Sequence, residues 1–236
     1  MLVDGTTFLA DIWPALVLTF KLASCTTLVL LLIAIPLAHW LNHSRNPIRP
    51  LVELLVSLPI VLPPTVIGFY LLLALSPQHA LGHAWQQWFG SPLPFSFAGL
   101  VVGSTLYSLP FAVQPIQTGF RNVEPALIES AAALGAPGWT VLHSIIMRTA
   151  WHAVTTGAML SFAHTVGEFG VVLMLGGNIP GATRVASIAL YDQVQQLNYG
   201  AANTIALILV LVSLLLLALI AAVRGNGHAT LPRLPF

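Results

Sequence analysis

Few residues in this chain have side chains suited to chemistry, and their spacing argues mostly against it. Ser161 and His164 stand three apart in an apolar run, which places a hydroxyl and an imidazole on one helix face. Serine hydrolysis also requires a strained, water-reached nucleophile and an oxyanion site, and the neighbouring residues offer neither, so an intramembrane hydrolase is a distant alternative. His79 and His83 are four apart, as metal ligands on a helix are, but no Glu or third ligand accompanies them. His39 and His43 repeat that spacing at a helix end. These patterns read as interfacial histidines, and neither a catalytic residue nor a metal site is expected. A phosphate-binding loop needs Gly-Lys-Ser/Thr, and the single lysine, Lys21, sits in "TFKLA".

The elements that must position these residues follow from composition. Of 236 residues 57% are hydrophobic and 6% charged, against about a quarter charged in a soluble domain. Several apolar runs reach the ~20 residues needed to cross a ~30 Å hydrocarbon core, and they lack the alternating polar positions of a membrane β-barrel. The fold class is therefore an all-α polytopic membrane protein, a single domain over residues 1–236 in contact with the lipid bilayer. Five spans are expected, at Ala15–Leu41, Leu51–Ser76, Ser96–Phe120, Ala150–Gly176 and Tyr199–Val223. A sixth would be added if "ALGHAWQQWF" entered the membrane, although its tryptophans suit an interface better. A net charge of +1 carries no nucleic-acid signal, and a lone cysteine, Cys25, closes no disulfide within the chain. "MLVDGTTFLADIW" places Asp4 and Asp11 where a cleavable signal would be basic, so none is expected.

Basic residues set the orientation. Arg45, Arg49, Arg121, Arg148, Arg224 and Arg233 flank the spans on one side and Arg184 alone lies on the other, which predicts an external N-terminus and a cytoplasmic C-terminus. Two charges lie within spans. Lys21 is about 9 Å and Glu168 about 12 Å from the outer ends of their helices at ~1.5 Å per residue. Matched depth predicts an ion pair holding the first span to the fourth; the alternative is that Lys21 snorkels outward and Glu168 is hydrogen-bonded alone. Pro36, Pro59, Pro63, Pro64, Pro110 and Pro115 interrupt spans. Each interior proline frees a carbonyl that a membrane tolerates only beside other helices or a water-lined cavity. The adjacent Pro63 and Pro64, with Gly167, Glu168 and Gly170 of the fourth span, are the candidates for a pathway or gate.

One stretch is unlike a span. In "NVEPALIESAAALGAPGWTVLHSII", Asn122–Ile146, Asn122 is expected to cap a helix with Glu124 and Pro125 in its first turn. Leu127, Ala131 and Leu134 form one apolar stripe, Gly135 and Pro137 stop the helix, and Trp139, Leu142 and Ile146 begin a second stripe. A helix, a sharp turn and a second helix should therefore project on the cytoplasmic side.

"ESAAALGAPGWTVLHSIIM" resembles the cytoplasmic loop motif of ABC-importer permeases, Glu-Ala-Ala, three residues, Gly, nine residues, Ile-x-Leu-Pro. Glu129, Ala131, Gly135 and Ile145 match it, while Ser130, Met147 and Arg148 replace the first Ala, the Leu and the Pro. "LPIVLPPTVIGFYLLLAL" and "VGEFGVVLMLGGNIPGATRVASIALY" extend the likeness to the molybdate importer permeases, with sulfate permeases as near relatives. The resemblance implies a homodimer of permeases, each bound to an ATP-binding cassette subunit that holds ATP and Mg, with a periplasmic or extracellular protein delivering the oxyanion, molybdate or tungstate. No cofactor would be bound by this chain. Residues 121–149 would be the coupling loop, with Glu129, Ala131, Ala132, Ala133, Leu134, Gly135 and Ala136 facing the ATPase. Residues 177–198, with Asn178, Pro180, Gly181 and Arg184, would be the external loop, where Arg184 attracts an anion, docks an acidic patch or pairs with Asp192. A proton-coupled secondary transporter using Glu168 is the remaining alternative, though no internal repeat supports it.

Overall fold

The computed structural model describes residues 5–227, and among these every regular element is helical. Asp4 and Arg233 lie outside the described residues. Three helices are long and apolar enough to cross a membrane: α1 (Gly5–His43), α5 (Phe97–Arg121) and α12 (Tyr199–Gly227). Two further spans are broken. α2 (Arg49–Val61) and α3 (Pro64–Leu75) meet at 117°, and α9 (Trp151–Val166) and α10 (Gly170–Gly176) at 62°. With each bent pair counted as one span there are five.

The second span is thus not the single straight helix that its hydropathy suggests. A residue before proline is pushed out of the helical region, and two prolines in succession impose this twice: Leu62 adopts ψ 139° and Pro63 ψ 135° before Pro64 opens α3 at its first turn. Despite the bend the chain still passes from one end of the bundle to the other. Val56 of α2 packs with the C-terminal halves of α1 and α5 (Leu30, Ala38, Ile116, Phe120), whereas Leu75 of α3 packs at the opposite end with Leu93 and Leu175. α4 (Ala80–Phe89) follows; its ten residues rise about 15 Å, half the thickness of a ~30 Å core, so it does not add a sixth span.

Small residues let these helices approach closely, as membrane packing requires where no hydrophobic force separates helix from lipid. A Cβ placed on Gly119 of α5 would overlap the Ala153 side chain of α9, and one on Gly157 of α9 would lie 2.9 Å from the Ala112 carbonyl oxygen of α5. The described side chains of α12 are largely exposed, with Leu207, Leu211, Leu214 and Leu217 on the surface, which leaves them for lipid.

Residues 121–149 fold as a helix, a turn and a second helical rod. α6 (Pro125–Ala133) is followed by α7 (Gly138–Thr140), a π-helical segment Val141–Ile146 and α8 (Met147–Thr149). Asn122 does not cap α6. It ends α5, its N–H bonding to the Phe120 and Thr118 carbonyl oxygens, while Glu124 stands at the α6 N-cap without a side-chain cap bond.

Candidate functional site

Two places in the fold gather the candidate residues: the turn at Gly135 and the junction of the two broken spans. At the first, the sequence Ala-Leu-Gly-Ala closes α6 with paired bonds. The Gly135 N–H donates to Ala132 O at 2.9 Å and the Ala136 N–H to Ala131 O at 3.0 Å, with Gly135 at φ +79°. This is the six-to-one, five-to-two closure that needs a left-handed residue after the C-cap, where glycine avoids the Cβ penalty. The expected stripe is only partly inward: Ile128 and Ala131 pack against the core cluster, whereas Leu127 (45%), Leu134 (88%) and Trp139 (73%) are exposed. Glu129, Ala132, Ala133 and Gly135 are exposed too, and Ala131 and Ala136 half-buried. One side of the turn is therefore held by the bundle and the other offers apolar area to a partner.

The rod after the turn leads into α9 without the family's proline. Met147 N–H reaches back to Leu142 O, a π-type bond, and the chain then kinks at Ala150 (φ −97°, ψ 18°). Val141, Ile146 and Ala150 are buried in the same cluster as Ala112, Ile116 and Phe120 of α5, so the turn is tied to the bundle through side chains. A polar clasp that sequence reading missed joins the same end. Glu53 Oε1 accepts from Gln117 Nε2 at 2.7 Å and lies 3.6 Å from Arg49 and 4.0 Å from Arg121, while Asn42 Nδ2 donates to Gln117 O at 2.9 Å. The i, i+4 spacing of Arg49 and Glu53 was the only local signal for it.

At the second place, the two breaks touch. A Cβ on Gly170 would lie 2.8 Å from Pro64 Cβ, and one on Gly68 2.8 Å from Met174 Cβ, so α3 and α10 meet along glycines. Hydroxyl back-bonds precede the second break: Ser161 Oγ donates to Gly157 O at 2.8 Å and Thr165 Oγ1 to Ser161 O at 2.9 Å. Such bonds bend helices. The Glu168 carbonyl, freed from the ladder, accepts from Ser187 Oγ at 2.6 Å. Around the junction lies a cavity of about 430 Å³ whose lining includes Pro64, Thr65, Tyr107, His164, Gly167, Glu168 and Gly170. His164 Nδ1 is 2.9 Å from Ser108 Oγ, and Phe111 stacks on its ring at 3.9 Å. Ser161 is fully buried and bonded to backbone, so the Ser161–His164 pairing of a hydrolase is absent.

The expected Lys21–Glu168 ion pair does not form. Among the described residues the ion pairs join Arg49 and Arg121 to Glu53, and Arg184 to Asp192. Lys21 lies on an exposed face of α1 with Nζ 4.8 Å from the centre of the Phe97 ring. The break instead carries Glu168 inward, where it is 4% exposed and neither carboxylate oxygen has a hydrogen-bond partner.

The loop after α10 is closed on itself. Asn178 Nδ2 donates to Asp192 at 2.6 Å, Arg184 Nε donates to Asn178 Oδ1 at 2.6 Å, and Arg184 stands 3.5 Å from Asp192. Thr183, buried and not singled out by the sequence, donates to Gly176 O at 2.6 Å and accepts from Ile179 N–H, while Pro180 and Gly181 are exposed. No group of three His, Cys, Asp or Glu that could hold a metal occurs among the described residues.

A polytopic helical membrane protein with two broken spans and an extramembrane helix–turn–helix is the class these features define. The chain belongs to the family described as binding-protein-dependent transport system inner membrane component, whose model matches residues 30–225. It is a multi-pass permease subunit. It is 45% identical over 203 residues to the molybdenum transport system permease protein ModB of Azotobacter vinelandii, covering 86% of this chain and 90% of that one. To the sulfate transport system permease protein CysT of Escherichia coli it is 33% identical, covering 77% of this chain and 65% of that one. A bacterial alginate ABC transporter solved with a pentasaccharide-bound periplasmic protein shares the fold, with TM-score 0.74 at 19% identity over 95% of this chain and 82% of that chain.

Proposed function

We propose that this chain is the membrane subunit through which an ATP-driven importer moves molybdate, and tungstate with it. The carrying observation is the 45% identity, over nearly the whole of both chains, to a molybdenum permease. The exposed turn at Gly135 supports the mode of action: a chain this apolar that builds a tied, half-exposed helix pair has a surface suited to a soluble motor. In this reading Glu129, Ala131, Ala132, Ala133, Leu134, Gly135 and Ala136 seat in a separate ATPase subunit that binds ATP and Mg. The only lysine is not in a phosphate loop, so hydrolysis belongs to that partner. An external binding protein delivers the anion near Asn178, Pro180, Gly181 and Arg184, and a second copy of the chain completes the path. The N-terminus is outside and the C-terminus cytoplasmic. Pro63, Pro64, Gly167, Glu168 and Gly170 form the gate. Because the described spans hold no arginine at mid-depth, the anion meets hydroxyls and backbone, sites weak enough to release it.

The test is reconstitution in vesicles with the ATPase subunit and the binding protein. Molybdate- and tungstate-loaded binding protein should stimulate ATP hydrolysis and uptake, with sulfate much weaker. No response to any oxyanion would overturn the reading, and a response to sulfate alone would move the substrate to that of the sulfate relatives. Uptake driven by a proton gradient without the ATPase would instead favour secondary transport.

A further inference from the structure

Glu168 is a buried acid that no ion pair among the described residues accounts for. It is 4% exposed, its carboxylate oxygens close no hydrogen bond although the Ser104 hydroxyl of α5 stands beside them, and it lines the cavity where the two broken spans touch. An ionised carboxylate left unpaired in such a wall is costly, and it would repel an approaching dianion. The neutral acid has the opposite property, because its O–H is a donor. Three further polar side chains stand in a wall otherwise made of Pro64, Ala163, Phe169 and glycines: the Thr65 hydroxyl from α3 and the Tyr107 phenol from α5 are donors, and His164 from α9 is held in place by Ser108 at 2.9 Å and by the Phe111 ring. Lys21 of α1 is turned to Phe97, and among the described residues no Arg or Lys lines the cavity.

Resting on the oxyanion reading above, we propose that this cavity is a transit site for a tetrahedral oxyanion, in which Glu168 meets the anion as the protonated acid and donates a hydrogen bond to it. Thr65 and Tyr107 supply the companion bonds. Neutral donors hold a dianion without the tight grip of a fixed cation, and conduction requires sites that release what they bind. The two glycine contacts, Gly170 on Pro64 and Gly68 on Met174, make the cavity sensitive to any shift of α3 against α10. A change in the break angle would therefore open or close the site.

The experiment uses the complete transporter in vesicles, with Glu168→Gln and Glu168→Ala compared. Gln keeps a neutral donor of the same shape, so molybdate uptake should stay within about twofold of wild type, whereas Ala should lower it about tenfold or more, as expected for a lost bond to a charged group. Co-purification of the ATPase subunit with each variant reports assembly separately from passage. In addition, Thr65→Cys in a Cys25→Ser chain should react with an anionic methanethiosulfonate and be protected by molybdate during turnover. Loss of uptake in Glu168→Gln equal to that in Glu168→Ala would overturn the proposal, as would full uptake in Glu168→Ala. If Glu168→Ala fails to assemble, labelling decides: Thr65→Cys labelling undiminished by molybdate overturns the site. A wild-type transporter that responds to no oxyanion would instead remove the functional reading on which the proposal rests.

Discussion

Gly135 at φ +79° is the residue on which the shape of the turn after α6 depends. An L-residue in that conformation costs about 1–2 kcal/mol, so Gly135→Ala should weaken the helix–turn–helix by that amount and lower affinity for the ATPase subunit about tenfold, measured by titrated pull-down. Gly135→Asn, which tolerates the left-handed region, should fall between. Lys21 gives a second test at this scale. With its ammonium over an aromatic ring and no carboxylate partner among the described residues, Lys21→Met should cost about 0.5–2 kcal/mol in a thermal melt in detergent, where loss of a buried ion pair would cost about 3–5. The turn was legible because Gly and Pro dictate it locally. Asn122 was misread because the same residue type suits the end of one helix and the start of the next, and the chain used it for the former. Glu53 was invisible because Gln117 and Arg121 are brought to it only by the packing of α2 on α5.

Between elements, the contact of the two breaks is the feature most exposed to mutation. Gly170→Leu would drive a side chain into Pro64 and Thr65; overpacking of this kind costs about 1–3 kcal/mol, which a melt in detergent should register as a lowered Tm. The π-helical segment makes a different prediction. A π turn accommodates one residue more than the α-helix around it, so deleting Ser144 should convert Val141–Ile146 toward α-helix and be tolerated, with the variant melting close to wild type. Deleting one residue from regular helix, Ala153 of α9, should be far worse, because it rotates everything beyond it out of register by ~100°. Hydropathy located both broken spans within a few residues of their ends. It was silent on the bends of 117° and 62°, since each half is as apolar as a straight span and the angle is set by which neighbour each half packs on.

For the molecule as a whole, the cluster of α1, α2 and α5 also holds the rod after Gly135, so the turn is tied to the bundle through packed side chains. Orientation is testable at this scale: Leu134→Cys in a Cys25→Ser chain, 88% exposed in the native residue, should react with an impermeant maleimide in inverted vesicles and not in intact cells. Labelling from outside would reverse the proposed topology. What the amino-acid order determined by itself was whatever acts over one or two helical turns or through bulk transfer to lipid: the number of apolar runs, the proline breaks, the glycine turn and the family motif. What only the tertiary structure decided was which distant groups meet. Lys21 and Glu168 sit at similar depth in the sequence reading, yet depth along a helix says nothing of azimuth. The break after Val166 carried Glu168 into the interior, to the cavity it shares with Thr65 and Tyr107, because a buried carboxyl's neighbours are chosen by the packing of whole helices and not by its own position in the chain.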